Sequence, residues 1–349
     1  MFRRDEMLAF RSRLFGDEMS RLRGEWDPEA RAAWEAATAF MSSEAFPEIT
    51  EANVPRLREM TKPERTPADL AAMAACQTTV FACDGRRFGS PDNARIEIRV
   101  HVPAGTGPRK GIVFCHGGAF VLGSAADEDP WACRTAAECN LVVFNVDYRN
   151  APETRAPGGI LDCYAALRCV AAELCTRYGV EPDRIGVYGI SSGGYLAAAV
   201  AMELARRREA HLVRMVIADV PAVSDHWVRT PPASPHAGAW HWSQSEVERW
   251  HGTHGHIETL AMLAEDWERQ VRERDPYLFP ATMGDELLRR VPNHVVMTRE
   301  FDFLRTDAEL YASDLARHGK LLDFYVRPGV SHYTGPETGV LRRIVDAYL

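Results

Sequence analysis

The chain has 349 residues and 46% hydrophobic residues, with 41 Lys+Arg against 49 Asp+Glu for a formal net charge of −8. This length suits one large domain plus an accessory segment. The absence of a basic block excludes nucleic acid as an expected partner. No run of about 18 apolar residues is present to span a bilayer, and the charged opening MFRRDEMLAFRSRLFGDEMSR lacks the apolar centre of a secretory signal. The expectation is a soluble, cytoplasmic protein with no stable membrane anchor, and a homodimer stays open.

Residues 1 to about 75 are rich in Ala, Arg and Glu, with helical periodicity in DPEARAAWEAATAF and a helix start at TPADLAAMAA, where Thr66 precedes a proline. They read as an N-terminal helical segment without strands. TTVFACD and RIEIRVHV have strand composition and flank the turn-rich GRRFGSPDNA, which predicts an antiparallel hairpin. From Gly111 onward the apolar runs GIVFC, LVVFNVD, RIGVYG, VRMVIAD, HVVMT and LLDFYV alternate with helical stretches. Such runs bury both faces of a strand, so the pattern predicts an α/β domain over 76–349, with a mostly parallel central sheet between helical layers. Residues from about 222 to 275 break the rhythm and read as an insertion rich in histidine and tryptophan. The eight cysteines form no CxxC pair and no zinc-finger spacing with histidine, so they are expected to be reduced and structural, with no metal and no cofactor.

Gly189-Ile190-Ser191-Ser192-Gly193 is a G-x-S-x-G directly after the strand RIGVYG and directly before a helical run. A serine on so tight a turn is pushed above the sheet beside the positive end of the helix. His116-Gly117-Gly118-Ala119-Phe120 follows the strand GIVFC, where backbone N–H groups could hold a developing oxyanion. The expected donors are Gly117, Gly118 and Ser192. A general base must follow the serine in the chain. His332, in the loop PGVSHYTG after the strand LLDFYV, is preferred to His318, which ends a helical stretch where a cationic side chain commonly caps the last carbonyls. Asp302, in the loop after HVVMT, is the expected acid, with Glu300 and Asp307 as rivals; Asp307 has a ready structural role at the start of the next helix. Ser191, Asp302 and His332 then make a nucleophile, orienting carboxylate and base.

HGGAF, DYRNAPE (147–153), GISSGGYLAA (189–198), EFDFL (300–304) and GVSH (329–332) stand in an order that resembles the hormone-sensitive-lipase-like branch of the α/β-hydrolases. The resemblance implies the α/β-hydrolase fold and a carboxylesterase acting through an acyl-enzyme on a small to medium ester. It also implies that residues 1–75 and the insertion near 222–275 cap the site, and that Asp147, Arg149 and Glu153 are mainly structural. Ala119 stands where the family commonly has a third glycine, and Ile190 and Ser192 where it has Asp and Ala; these departures bear on substrate preference. Trp227, Trp240 and Trp242 are candidate substrate contacts in the insertion, since ligand pockets are mostly apolar. His251, His254 and His256 invite a metal reading, but HGTHGH offers no fourth ligand. An acyltransferase or amidase would use the same triad, and a non-catalytic ligand-binding protein is the remaining alternative.

Overall fold

A strand whose side chains are apolar on both faces has no side to offer water, so it is stable only between two helical layers. The computed structural model describes residues 22, 24–41, 43–92, 94–225, 262–335 and 337–349. Its eight strands, β1 (Cys76–Asp84), β2 (Arg95–Pro103), β3 (Arg109–Cys115), β4 (Leu141–Asp147), β5 (Val180–Ile190), β6 (Met215–Asp219), β7 (His294–Arg299) and β8 (Leu321–Arg327), form one sheet in the order β1-β2-β4-β3-β5-β6-β7-β8. β2 pairs antiparallel with β1 and with β4, and β3 to β8 pair in parallel. The hairpin and all six buried runs of the sequence are therefore strands, and every residue of β7 is buried.

Alternate residues of one strand feed opposite layers. On β3, Val113 and Cys115 pack with Tyr164 of α5 (Gly158–Cys169), Ala198 of α6 (Ser192–Arg207) and Tyr311 of α8 (Arg305–Arg317). Ile112 and Phe114 face the other way, toward Trp131 of α4 (Asp129–Cys139) and Leu341 of α9 (Thr338–Tyr348). Phe114 is 4.3 Å from Trp131 and 5.6 Å from Tyr188, ring centre to ring centre. Truncating it opens a cavity that rigid neighbours cannot fill. Phe114→Ala should cost about 3–5 kcal/mol, read from denaturant unfolding against the parent chain.

Among the described residues three helices precede the sheet: α1 (Pro28–Met41), α2 (Val54–Met60) and α3 (Pro67–Ala74). Thr66 starts α3 with a reciprocal capping box to Asp69, as its place before Pro67 suggested. α2 buries Val54 and Leu57, and Val54 packs with Val121, Ala151 and Met262. The Arg58 guanidinium donates to the carbonyls of Val121 (2.8 Å) and Ala151 (2.9 Å) and grips Glu153 at 2.7 and 2.8 Å. The N-terminal segment is thus fastened to the loops at the carboxyl ends of the strands. Between β6 and β7, the described residues after 225 resume at Met262 and include α7 (Trp267–Glu273) but no strand. No helix among the described residues is long and apolar enough to cross a membrane.

Candidate active site

Strand β5 ends at Ile190 and α6 begins at Ser192, so a single residue must reverse the chain. Ser191 does so at φ 58° and ψ −120°, a conformation that L-residues rarely adopt. Its N–H donates to the Asp219 carbonyl at the end of β6, 2.9 Å away. The turn closes so tightly that a Cβ on Gly189 would lie 1.9 Å from the Gly193 carbonyl oxygen, which explains the small flanking residue. The hydroxyl is left at the positive end of a 16-residue helix.

Ser191 Oγ lies 2.9 Å from His332 Nε2, and His332 Nδ1 lies 3.0 and 3.1 Å from the two carboxylate oxygens of Asp302. Asp302 Oδ1 also accepts the Leu304 N–H at 2.7 Å, so the carboxylate is locked by its own loop. A carboxylate can only accept, so it keeps the imidazole proton on Nδ1 and turns the Nε2 lone pair toward the serine hydroxyl. The Asp302 side chain is fully buried, while that of His332 is 13% exposed.

The loop after β3 comes against this serine: a Cβ on Gly117 would be 3.5 Å from the Ser191 Cβ. Gly118 has φ 133°, and a Cβ there would meet the Leu122 carbonyl oxygen at 2.0 Å. Ala119 and Phe120 follow at φ 50° and 71°. This strained run is held by Leu122 N–H donating to the Gly118 carbonyl (2.8 Å), and by His116 Nδ1 at 2.7 Å from the Gly117 carbonyl. Burial pushes the His116 ring below the usual histidine range, so it stays neutral, stacked 4.2 Å from Tyr148. The Tyr148 hydroxyl donates to the His116 carbonyl at 2.7 Å. Among the described residues, the N–H groups of Gly117, Gly118 and Ser192 donate to no acceptor in the chain. Gly118→Ala should therefore swing the loop away from Ser191 and lower kcat by roughly 10²–10³-fold, the scale of one lost oxyanion donor, with the melting temperature followed in parallel.

The rival residues are occupied elsewhere. Glu300 accepts the N–H groups of Gly24 and Gly329, each at 2.8 Å, and so ties the N-terminal segment to the loop that carries His332. Asp307 lies in the first turn of α8, as the sequence suggested. Its carboxylate also accepts Val223 N–H (3.0 Å), Ser224 N–H (3.0 Å) and the Ser224 hydroxyl (2.8 Å), anchoring the buried chain after β6. His318 caps α8 through Nδ1, 2.7 Å from the Asp314 carbonyl. In DYRNAPE, Asp147 accepts Ala125 N–H (2.8 Å), Arg149 grips Asp162 and Asp92, and Glu153 meets Arg58.

One arrangement escaped sequence reading. Arg299, at the end of β7, donates to Asp219 (2.8 Å) and to the Thr334 carbonyl (3.0 Å), and Tyr188 donates its hydroxyl to Asp219 (2.9 Å). This buried network braces the His332 loop against the strand end that holds Ser191. Its only sequence signal was a charge closing each of two apolar strands. Trp227, Trp240, Trp242 and the histidines 251, 254 and 256 lie outside the described residues. A pocket of about 60 Å³ that is described runs beside the loop after β3, lined among others by Phe120, Ile160, Tyr195, Leu196, Leu263 and Leu278.

Residues 112–334 match the family described as alpha/beta hydrolase fold. The chain is 30% identical over 250 residues to an arylesterase of Saccharolobus solfataricus, covering 70% of this chain and 74% of that protein. It is 29% identical over 244 residues to the carboxylic ester hydrolase LipN of Mycobacterium tuberculosis, covering 68% and 60%. A shorter stretch of 114 residues is 41% identical to arylacetamide deacetylase of Oryctolagus cuniculus and spans only 29% of that protein. Among solved structures, a hyperthermophilic esterase of the archaeon Pyrobaculum calidifontis superposes with a TM-score of 0.70 at 26% identity, covering 93% of this chain and 98% of that one. With the ordered motifs set on the strands and loops described above, the chain belongs to the α/β-hydrolases, in their hormone-sensitive-lipase-like branch.

Proposed function

We propose that this chain is a serine carboxylester hydrolase that works through an acyl-enzyme on a small to medium ester. The observation that carries the reading is the unbroken relay from Ser191 Oγ through the His332 ring to a buried Asp302 carboxylate, with free amide donors beside it. In the first half-reaction His332 Nε2 takes the hydroxyl proton as Oγ bonds to the ester carbonyl carbon. The carbonyl oxygen becomes an anion, and the N–H groups of Gly117, Gly118 and Ser192 supply fixed dipoles where that charge develops. Collapse expels the alcohol, which takes the proton from His332 and leaves the acyl group on Ser191. Water then attacks with His332 again as base, and the acid departs as Oγ recovers its proton. Asp302 stabilises the imidazolium in both halves.

Residues 1–75 and the insertion near 222–275 act in this proposal as a cap over the catalytic domain of 76–349. Support comes from α2, whose Val54 packs with Val121 beside the oxyanion loop and with Met262 at the return of the insertion. The pocket lined by Phe120, Tyr195 and Leu263 would take one arm of the ester, beside the contacts expected from Trp227, Trp240 and Trp242. The test is a panel of p-nitrophenyl esters from acetate to dodecanoate, with the acid product identified. Stoichiometric labelling of Ser191 by a phosphonate ester checks the covalent step. Transfer of the acyl group to an added amine or alcohol, faster than to water, would replace hydrolase by acyltransferase. Leu263→Trp fills the pocket and should lower kcat/KM for the longer esters relative to acetate by about tenfold or more, since each methylene in a pocket is worth about 1–3 kcal/mol.

A further inference from the structure

Edge strand β1, its neighbour β2 and helix α4 bring together three metal-ligating side chains that no site described above uses. Thr78 lies opposite His101 in the β1–β2 register, and Cys76, two residues before Thr78, shares its face. α4 lies across that face and adds Cys133, whose Sγ is 3.3 Å from His101 Nδ1. The two sulfurs and a ring nitrogen all lie within 4.8 Å of one another, with His101 and Cys133 buried and Cys76 half-buried.

We propose that Cys76, His101 and Cys133 are a binding site for a soft divalent cation, zinc foremost, which clips the end of the N-terminal segment to the sheet. Two sulfurs and an imidazole are a donor set for zinc rather than for calcium or magnesium, which take oxygen. Bonds of zinc to sulfur and to imidazole place tetrahedral ligands about 3.5–3.8 Å apart, so closing the cluster needs movements of about an ångström. The surroundings are those of a ligating histidine. The far nitrogen of His101 lies 3.3 Å from Asp129 Oδ1 without a completed hydrogen bond, and both Asp129 oxygens are held by Arg99 at 2.8 and 2.5 Å. A carboxylate behind the ring is the usual device that fixes a metal-bound imidazole. Binding would release both thiol protons to solvent and leave a fourth position for water on the half-exposed Cys76 side.

The location gives the ion a structural task. Cys76 follows α3 by two residues, and Asp69 of α3 already pairs with Arg134 of α4 at 3.1 Å. β1 stands four strand spacings from β5, about 19 Å from the strand that carries Ser191, so the site is separate from ester chemistry. Separations of 25 and 32 residues between the ligands hid the cluster from any spacing rule.

The full chain, reduced with a phosphine and stripped by a chelator, is titrated with Co²⁺ and then Zn²⁺. One equivalent of Co²⁺ should produce thiolate-to-cobalt charge-transfer absorption that one equivalent of Zn²⁺ abolishes; a site of histidines alone gives no such band. Cys76→Ser, at the half-exposed start of β1, and Cys133→Ser should each remove the band. Cys139→Ser should keep it, and Asp129→Asn should weaken binding about 10–100-fold. Zinc at a hundredfold excess over Kd should raise the melting temperature of the parent chain by about 3–4 °C, with no rise in Cys76→Ser. Ester turnover of Cys76→Ser should equal that of the parent, so failure here is distinct from failure of the catalytic reading. Absence of the band, its survival in Cys76→Ser and Cys133→Ser, or an equal zinc response in Cys76→Ser would overturn the proposal and leave a hydrogen-bonded thiol–imidazole cluster.

Discussion

Ser191→Ala is expected to leave the fold and melting temperature close to those of the parent while lowering kcat on a p-nitrophenyl ester by roughly 10⁴–10⁶-fold. The hydroxyl's described partner is His332 Nε2, and the backbone of the turn is held by Asp219 and the neighbouring glycines rather than by the side chain. Removing Oγ therefore removes the acyl acceptor without opening the elbow. His332→Ala should be equally severe, and the double variant little worse than either, because the two groups act as one unit. His318→Ala should keep its turnover, since that ring caps α8. A folded Ser191→Ala enzyme retaining more than a tenth of parental kcat would end the serine-hydrolase reading.

Asp302→Asn is expected to lower kcat by about 10⁴-fold with a much smaller change in KM. The amide can keep the Leu304 N–H through its oxygen but then offers a donor to His332 Nδ1, which favours the tautomer whose Nε2 carries a proton and cannot accept one from Ser191. Glu300→Gln and Asp307→Asn should behave differently. Each loses a charged acceptor for two or three donors, all buried except the Gly24 N–H, so the cost should appear mainly as stability, about 1–3 kcal/mol. Kinetics and melting on the three single variants separate the roles. A dominant kcat effect at Asp307, with the fold intact, would move the acid assignment there.

Much of this was legible because each signal is local. A short continuous apolar run rich in β-branched residues suggests a strand covered on both faces, and LVVFNVD and HVVMT read as such before their neighbours were known. G-x-S-x-G between strand and helix is a backbone statement, since a Cβ at Gly189 cannot fit, and the same holds for Gly118 in the loop after β3. Order in the chain left His318 and His332, and local context ranked them: His318 ends a helical stretch, whereas His332 lies in a loop directly after a strand. The choice of Asp302 over Glu300 and Asp307 was weaker, because three carboxylates within eight residues look alike until their partners are known.

The sequence by itself determined the strands, the turn at Ser191, the glycine loop and the chain order of the three proposed catalytic residues Ser191, Asp302 and His332, because each depends on neighbours along the chain. Only the tertiary structure decided where buried polar groups find partners. It gave Glu300 to Gly24 and Gly329, Asp307 to the chain after β6, and Asp219 to Arg299 and Tyr188. It also set Cys76, His101 and Cys133 side by side through strand register and a helix laid across an edge. A hydrogen bond or a ligand set acts over about 3 Å whatever the separation in sequence, so pairings of this kind leave no periodicity to read.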